Sequence, residues 1–354
     1  MGFITKPIGV TLIAAIIIGL FNFTNLADMA NLIGINLVLL FFTLFIHELG
    51  HVLLGVGAGY RFNYLTVGPI TIENTERIHM KWNDSWFLFG GVASCTPLSS
   101  DLTSIAKQHK RFVAGGPLFS IVTAIASFIV GKIFDIQFII YFSILNLIIF
   151  IATILPYKGA LKSDGRVLME LSRGGKETEQ FLVSLLLLKE MNSPKHPMEW
   201  SEELIEQAKT LPPTVDNATV AYILFYYTIL KEGYEKASEL IEPFKQIPVT
   251  KENKFALYFI QHIQQIDFIV QKNDNEERIM QFHQFMNPME PISFKRSEAI
   301  LAILKGNQQE AVRKLSEVMK EIQKGKRLFG FFYAEEQLTN YLKKVMGLEE
   351  FVKV

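Results

Sequence analysis

Four windows without a charged side chain limit what this chain can become: Pro7–Ala27 (21 residues), Met29–Ile46 (18, prolonged by apolar Val52–Ala58), Phe112–Gly131 (20) and Ile136–Tyr157 (22). A helix needs about 20 apolar residues to cross the hydrocarbon layer of a bilayer. Each window qualifies, and the sequence predicts four transmembrane helices at about 7–27, 29–56, 112–131 and 136–157. The first resembles a signal peptide in length. It has one nearby lysine, Lys6, and no small-x-small cleavage site ahead of a soluble domain, so it reads as a retained anchor. "FLVSLLLL" at Phe181–Leu188 is too short to span and is flanked by charges, which makes it a buried helix of a soluble region.

Charge divides the chain in two. Up to Ser163 there are ten Lys/Arg and seven Asp/Glu; from Asp164 onward there are 25 and 28. The division predicts a transmembrane domain over 1–165 and a cytoplasmic helical domain over 166–354. With 35 basic and 35 acidic residues the net charge is zero, so nothing points to nucleic acid as a partner. Cys95 is the single cysteine and rules out an internal disulfide. With four spans, one side of the membrane carries Lys6, Arg61, Arg77, Lys81, Lys107, Lys110, Arg111, Lys158 and Lys162, and the other only Lys132. The positive-inside bias puts both termini in the cytoplasm.

The loop 57–111 is more than a linker. Arg61–Trp82 mixes β-branched and aromatic residues around a Gly68-Pro69 break and a polar turn at Asn74, and predicts two or three short strands. Trp86–Leu98 is apolar, Gly-rich and uncapped, which suits a re-entrant or interfacial segment, or a plain hydrophobic loop. Beyond Gly165 apolar residues recur at helical spacing to the end. Ala221–Phe244 and Ala299–Ile322 each read as helix, Lys-(x)-Gly turn, helix, with Ile266–Phe282 broken similarly between them. Such units resemble tetratricopeptide repeats; an irregular helical bundle fits the pattern equally. The fold class is an all-α membrane protein with four spans, a small β-rich membrane-associated loop and a soluble, tetratricopeptide-like helical domain.

Inside the second window stands "HELGH", His47 to His51. Residues four apart share a helix face about one turn apart, so both imidazoles can reach one zinc ion. Glu48 beside them is placed to act as general base on a zinc-activated water. A lone membrane histidine can be a packing residue, but two histidines and a glutamate are costly in lipid and mark a functional site. Catalytic zinc usually takes three protein ligands. The third must come from the cytoplasmic end of another span. Asp164, after the fourth span and the Pro156 break, meets that requirement. Asp28 and Asp135 fall on the wrong side; Asp84 and Asp101 lie on the correct side but outside any span. The competing role for Ser163 or Asp164 is to cap the helix that follows.

Three marks, "HELGH", "GGPLFS" (Gly115–Ser120) and "SDG" (Ser163–Gly165), together resemble the site-2 protease family of intramembrane zinc metalloproteases. The resemblance covers roughly residues 30–170 and leaves out the first span and the helical C-terminal region. It implies zinc-dependent hydrolysis of a peptide bond in a membrane-embedded or membrane-adjacent substrate, in a multi-pass protein of a bacterial cell membrane. It implies His47, His51 and Asp164 as Zn2+ ligands and Glu48 as catalytic acid/base. The family's strand-rich loop, here Arg61–Trp82, would present the substrate by strand addition. Relatives often carry Asn where this chain has Ser120, and Asn-x-x-Pro where it has Thr153-Ile-Leu-Pro156. Ser120, Thr153 or Asn146 are therefore the candidates to orient substrate or stabilise an oxyanion. Gly115, Gly116 and Pro117 favour close helix packing over substrate contact. The C-terminal domain is expected to recruit a protein partner or regulate access. The rival class is a membrane-anchored repeat scaffold with a structural or vestigial metal site; a third reading is hydrolysis of a different amide or of a short secreted peptide.

Overall fold

The computed structural model describes residues 3–74, 77–157, 162–271, 275–286 and 290–349. Lys158, counted above in the charge bias, lies outside the described residues. Two compact units are formed, Met1–Glu179 and Gln180–Val354.

In the first unit, α1 (Pro7–Phe21) is followed by the 31-residue α2 (Ala27–Gly57), a sheet, then α3 (Leu102–Ile133), α4 (Gln137–Ile154) and α5 (Asp164–Arg173). Only α2, α3 and α4 are long and apolar enough to cross a membrane among the described residues. The fourth expected span, the first in the chain, is shorter than its uncharged window. The α1 helix has 15 residues, about 22 Å against a hydrocarbon layer of about 30 Å. Its end is set by side chains that hydropathy ignores: Asn22 Nδ2 donates to Ile18 O at 3.1 Å and Thr24 Oγ1 to Phe21 O at 2.8 Å, turning the chain away. The start of α1 is held to the sheet loop, with Lys6 Nζ 2.8 Å from Asp84 and Trp86 Nε1 donating to Thr5 O at 2.9 Å.

The loop after α2 folds into four antiparallel strands, β1 (Tyr60–Val67), β2 (Ile70–Asn74), β3 (Ile78–Trp82) and β4 (Val92–Pro97), in the order β3-β2-β1-β4. The β1–β2 hairpin turns at Gly68 and Pro69, where Gly68 has φ 55° and a Cβ would collide with the Phe41 ring at 2.6 Å. Leu65 and Val67 of β1 bury against Val52 of α2, with Phe41, Phe45 and Leu49 around them, so the sheet is fixed to the helix that carries HELGH. The Arg61–Trp82 stretch accounts for three strands. The fourth, β4, comes from the Gly-rich stretch that reads as re-entrant or loop. Its side chains are half-buried without alternation, and alternation is what marks a strand in sequence.

The second unit is helical. Leu182, Val183, Leu186 and Leu187 of α6 (Lys176–Met191) are buried, as the short apolar run predicts. After α7 (Glu202–Lys209), three hairpins stand at the expected breaks: α8 (Ala218–Lys231) with α9 (Tyr234–Leu240), which the short α10 (Glu242–Lys245) follows, α11 (Lys254–Val270) with α12 (Glu276–Phe285), and α13 (Pro291–Leu304) with α14 (Gln308–Gly325). Gly233 and Gly306, at φ 91° and 70°, make the first and last turns. Their second helices have 7, 10 and 18 residues, so the pairs are not copies of one repeating unit. The final helix, α15 (Phe332–Val345), packs on α8 and α14.

Candidate metal centre

The site is built by close approach of backbones. Helices α2 and α3 meet at Gly50 and Gly115: a Cβ on Gly115 would lie 2.2 Å from Gly50 O, and one on Gly50 2.4 Å from Gly115 O. At Gly165, α5 meets the last turn of α4, where a Cβ would fall on Ile154 O. Ser163 caps α5, accepting from Arg166 N–H at 3.2 Å, and its hydroxyl donates to Leu155 O at 2.7 Å. The capping role is thus filled by Ser163. Asp164, first residue of α5, is left to point elsewhere.

It points at the histidines. Asp164 Oδ2 lies 3.3 Å from His47 Nε2 and 3.5 Å from His51 Nε2, and the two Nε2 atoms are 3.3 Å apart. Zinc bonds of about 2.0–2.2 Å set at tetrahedral angles separate neighbouring donors by roughly 3.3–3.5 Å. The three observed separations match the edges of that tetrahedron. Both imidazoles are buried, at 5% and 6% exposure. Their other nitrogens are occupied in the manner that orients metal-ligating histidine. His51 Nδ1 lies 2.9 Å from Phe112 O and His47 Nδ1 3.0 Å from Ser120 Oγ. Two backbone groups meet this His51 nitrogen, the Phe112 carbonyl at 2.9 Å and the Gly116 N–H at 3.3 Å; a carbonyl only accepts, and the nearer contact assigns the proton to His51 Nδ1, leaving an Nε2 lone pair for the centre. The donor set, two imidazoles and a carboxylate, suits zinc.

Glu48 follows His47 on α2 and is buried at 9% exposure. It packs under the start of β4: Ala93 N–H bonds its carboxylate, and Gly91, at φ 108°, comes so near that a Cβ would stand 2.9 Å from Glu48 Oε1. Gly116 lies against the two imidazoles. A Cβ there would be 2.3 Å from His51 Nε2 and 2.7 Å from His47 Nε2, in the space where the donors converge.

The other residues singled out by the sequence are placed as follows. Ser120 Oγ contacts His47. Asn146 is fully buried against Thr43, one turn of α2 before His47, its Nδ2 donating to Phe142 O at 2.9 Å and to Thr43 Oγ1 at 3.3 Å, while Oδ1 has no partner among the described residues. Thr153 Oγ1 donates to Ile149 O of its own helix at 3.0 Å. Asp101 caps α3 through Ser104 N–H and Asp84 pairs with Lys6, so neither joins the centre. Asp28 begins α2 and Asp135 follows α3, at the far ends of those helices. Sequence reasoning missed the approach of Gly91 and Ala93 to Glu48 and of Gly116 to the imidazoles. The signals present were the Gly90-Gly91 pair and a second glycine before Pro117, one more than helix packing at Gly115 requires.

Comparison with curated proteins and with solved structures returned no match. The family model of peptidase family M50 matches residues 35–343, reaching far beyond the 30–170 stretch that carries the three motifs and through most of the second unit. On that match, and in keeping with a centre where His47, His51 and Asp164 converge as a group able to hold a metal ion, the chain belongs to peptidase family M50, the site-2 protease family of membrane-embedded metalloproteases.

Proposed function

We propose that this chain is a zinc-dependent intramembrane endopeptidase in which His47, His51 and Asp164 hold the ion and Glu48 is the general acid/base. The observation that carries the reading is the convergence of three ligand atoms at 3.3–3.5 Å with a buried fourth group, the Glu48 carboxylate, beside them. Zinc, when bound, supplies Lewis acidity that lowers the pKa of a water towards about 7 and polarises the scissile carbonyl. Glu48 takes the proton from the attacking water and returns it to the amide nitrogen as the peptide bond breaks. Ala93 N–H holds the Glu48 carboxylate in place; Ser120 and Phe112 O fix the imidazoles.

The peptide arrives extended. Among the described residues, strand β4 pairs with β1 alone and is an edge of the sheet, and its start rests on Glu48. A substrate segment added along β4 would pass the carboxylate whatever its side chains, because main-chain pairing is tolerant of sequence. In this reading the presenting strand is Val92–Pro97 rather than one within Arg61–Trp82. The short α1 still returns the N-terminus to the side of the basic loop, where Lys6 is held at Asp84, so both termini face the cytoplasm in this reading. The helical unit serves to recruit a protein partner.

The test uses purified full-length protein in detergent or nanodiscs with a fluorogenic membrane-peptide library. Glu48→Gln should lower turnover by a factor of about 10² or more while leaving zinc content unchanged. Wild-type rates from Glu48→Gln would remove Glu48 from the chemistry. Equal cleavage before and after zinc is stripped and shown absent would remove the metal.

A further inference from the structure

The second unit contains a cavity of about 490 Å³, within the size range of small-ligand pockets. Its walls are aromatic. Tyr222 and Tyr258 meet edge to face with ring centres 5.8 Å apart, and Tyr226 stacks on Phe331 at 5.7 Å. Three carboxylates line the same space, and their charges are not equally balanced. Glu335 has the fully buried Arg296 at 2.6 Å and the Tyr226 hydroxyl as donor. Glu321 has Lys324 at 3.8 Å. Among the described residues, Glu290 forms no ion pair of its own; the Arg296 charge, paired with Glu335, reaches it only at longer range. Its oxygens accept only the N–H groups of Ile292 (3.3 Å) and Ser293 (2.9 Å) at the start of α13, one bond each, which leaves lone pairs unused. Burial, with the neighbouring Glu335 charge second, raises the Glu290 carboxyl above its ordinary value. The Tyr258 ring forms part of the same wall, and its hydroxyl, unlike that of Tyr222 or Tyr226, has no hydrogen bond among the described residues.

Aromatic faces attract cations through the ring quadrupole, most strongly where water is excluded. A carboxylate with no ion-pair partner of its own in such a box completes a receptor for one positive charge. We propose that this cavity binds the ammonium group of a peptide, a lysine side chain or a free amino terminus, between the Tyr222, Tyr226 and Tyr258 rings and the Glu290 carboxylate. The site is separate from the metal centre and rests on none of its residues. It gives the helical unit a stated chemistry: recognition of a basic or free-ended peptide segment.

Calorimetry on the full-length protein tests this with four probes. Nα-acetyl-lysine methylamide is set against its neutral analogue Nα-acetyl-norleucine methylamide, and glycyl-leucinamide against its N-acetylated form. At least one ammonium probe should bind saturably, one per chain and about tenfold or more tighter than its neutral partner; which one does so distinguishes side chain from terminus. Glu290→Gln keeps an oxygen to cap α13 and should erase that preference. Tyr258→Leu should weaken the ammonium probe severalfold, and decides the matter if Glu290→Gln melts early. Glu48→Gln should bind the probes as wild type does. The proposal is overturned if charged and neutral probes bind alike or not at all. It is overturned equally if the preference survives in a folded Glu290→Gln or, should that variant melt early, in Tyr258→Leu.

Discussion

Gly116→Ala adds a single methyl group and should empty the metal centre. The new carbon would stand 2.3 Å from His51 Nε2, 2.6 Å from His47 Cε1 and 2.7 Å from His47 Nε2. Ordinary contact begins at about 3.4 Å, so the His51 ring must retreat by roughly 1 Å and the His47 ring by somewhat less. Metal sites tolerate departures of about 0.2 Å in ligand distance. Losing an outer hydrogen-bond partner of a ligand already costs about 10–100-fold in affinity. Displacing two ligands at once should exceed that, so zinc affinity should fall by more than about 100-fold, some 2.7 kcal/mol or more. The helix itself does not suffer, because alanine is the better helix former by about 1 kcal/mol. The assay is zinc content by atomic emission after dialysis against a graded chelator series, with circular dichroism and thermal melting alongside. Gly57→Ala, in the last turn of the same helix as the histidines and with nothing within 4 Å of its added carbon, is the control and should bind zinc normally. A folded Gly116→Ala that retains one zinc per chain at wild-type affinity would refute the reasoning.

Two further outcomes follow from the same geometry. Asp164→Ala removes the carboxylate 3.3 Å and 3.5 Å from the two Nε2 atoms and should leave the purified protein with little zinc, a larger loss than any outer-partner change; normal zinc stoichiometry would assign the third ligand elsewhere. Ser120→Ala removes the partner of His47 Nδ1 and should weaken zinc about 10–100-fold in chelator competition with little change in melting temperature; an unchanged affinity would show that Ser120 does not position the ring.

The donors were legible in the sequence because polar groups inside an apolar window have few innocent explanations. His47, Glu48 and His51 stand out by spacing, and Asp164 by lying beyond a span on the required side. The environment of those donors was much less legible. The length of α1 depended on Asn22 and Thr24 bonding back to helix carbonyls, which a count of charges does not register. Strand β4 was hidden because both of its faces are half-buried, so no period-2 signal exists. Ser120, Asn146 and Thr153 looked equivalent as polar residues in spans, yet each found a different partner: an imidazole, a neighbouring helix and its own helix. Such choices depend on which helix faces which, and that information is held by small residues whose meaning is steric.

Gly115 and Gly116 separate these two kinds of information in adjacent positions. In lipid, helices gain no hydrophobic free energy by associating, so contact rests on van der Waals packing that small residues permit. Gly115→Ala meets backbone, Gly50 O at 2.2 Å and His51 Cα at 2.9 Å, and neither can rotate away; the α2–α3 pair must separate. Overpacking of this kind costs about 1–3 kcal/mol, so Gly115→Ala should lower the melting temperature and weaken zinc together. Gly116→Ala meets side-chain rings that can turn aside, so it should weaken zinc while leaving the melting temperature of the metal-free protein close to that of metal-free wild type. Measuring both variants with and without chelator discriminates the two causes. If Gly116→Ala destabilised the metal-free protein as much as Gly115→Ala did, the second glycine would serve helix packing like the first, and the space above the imidazoles would lose its assignment to the metal.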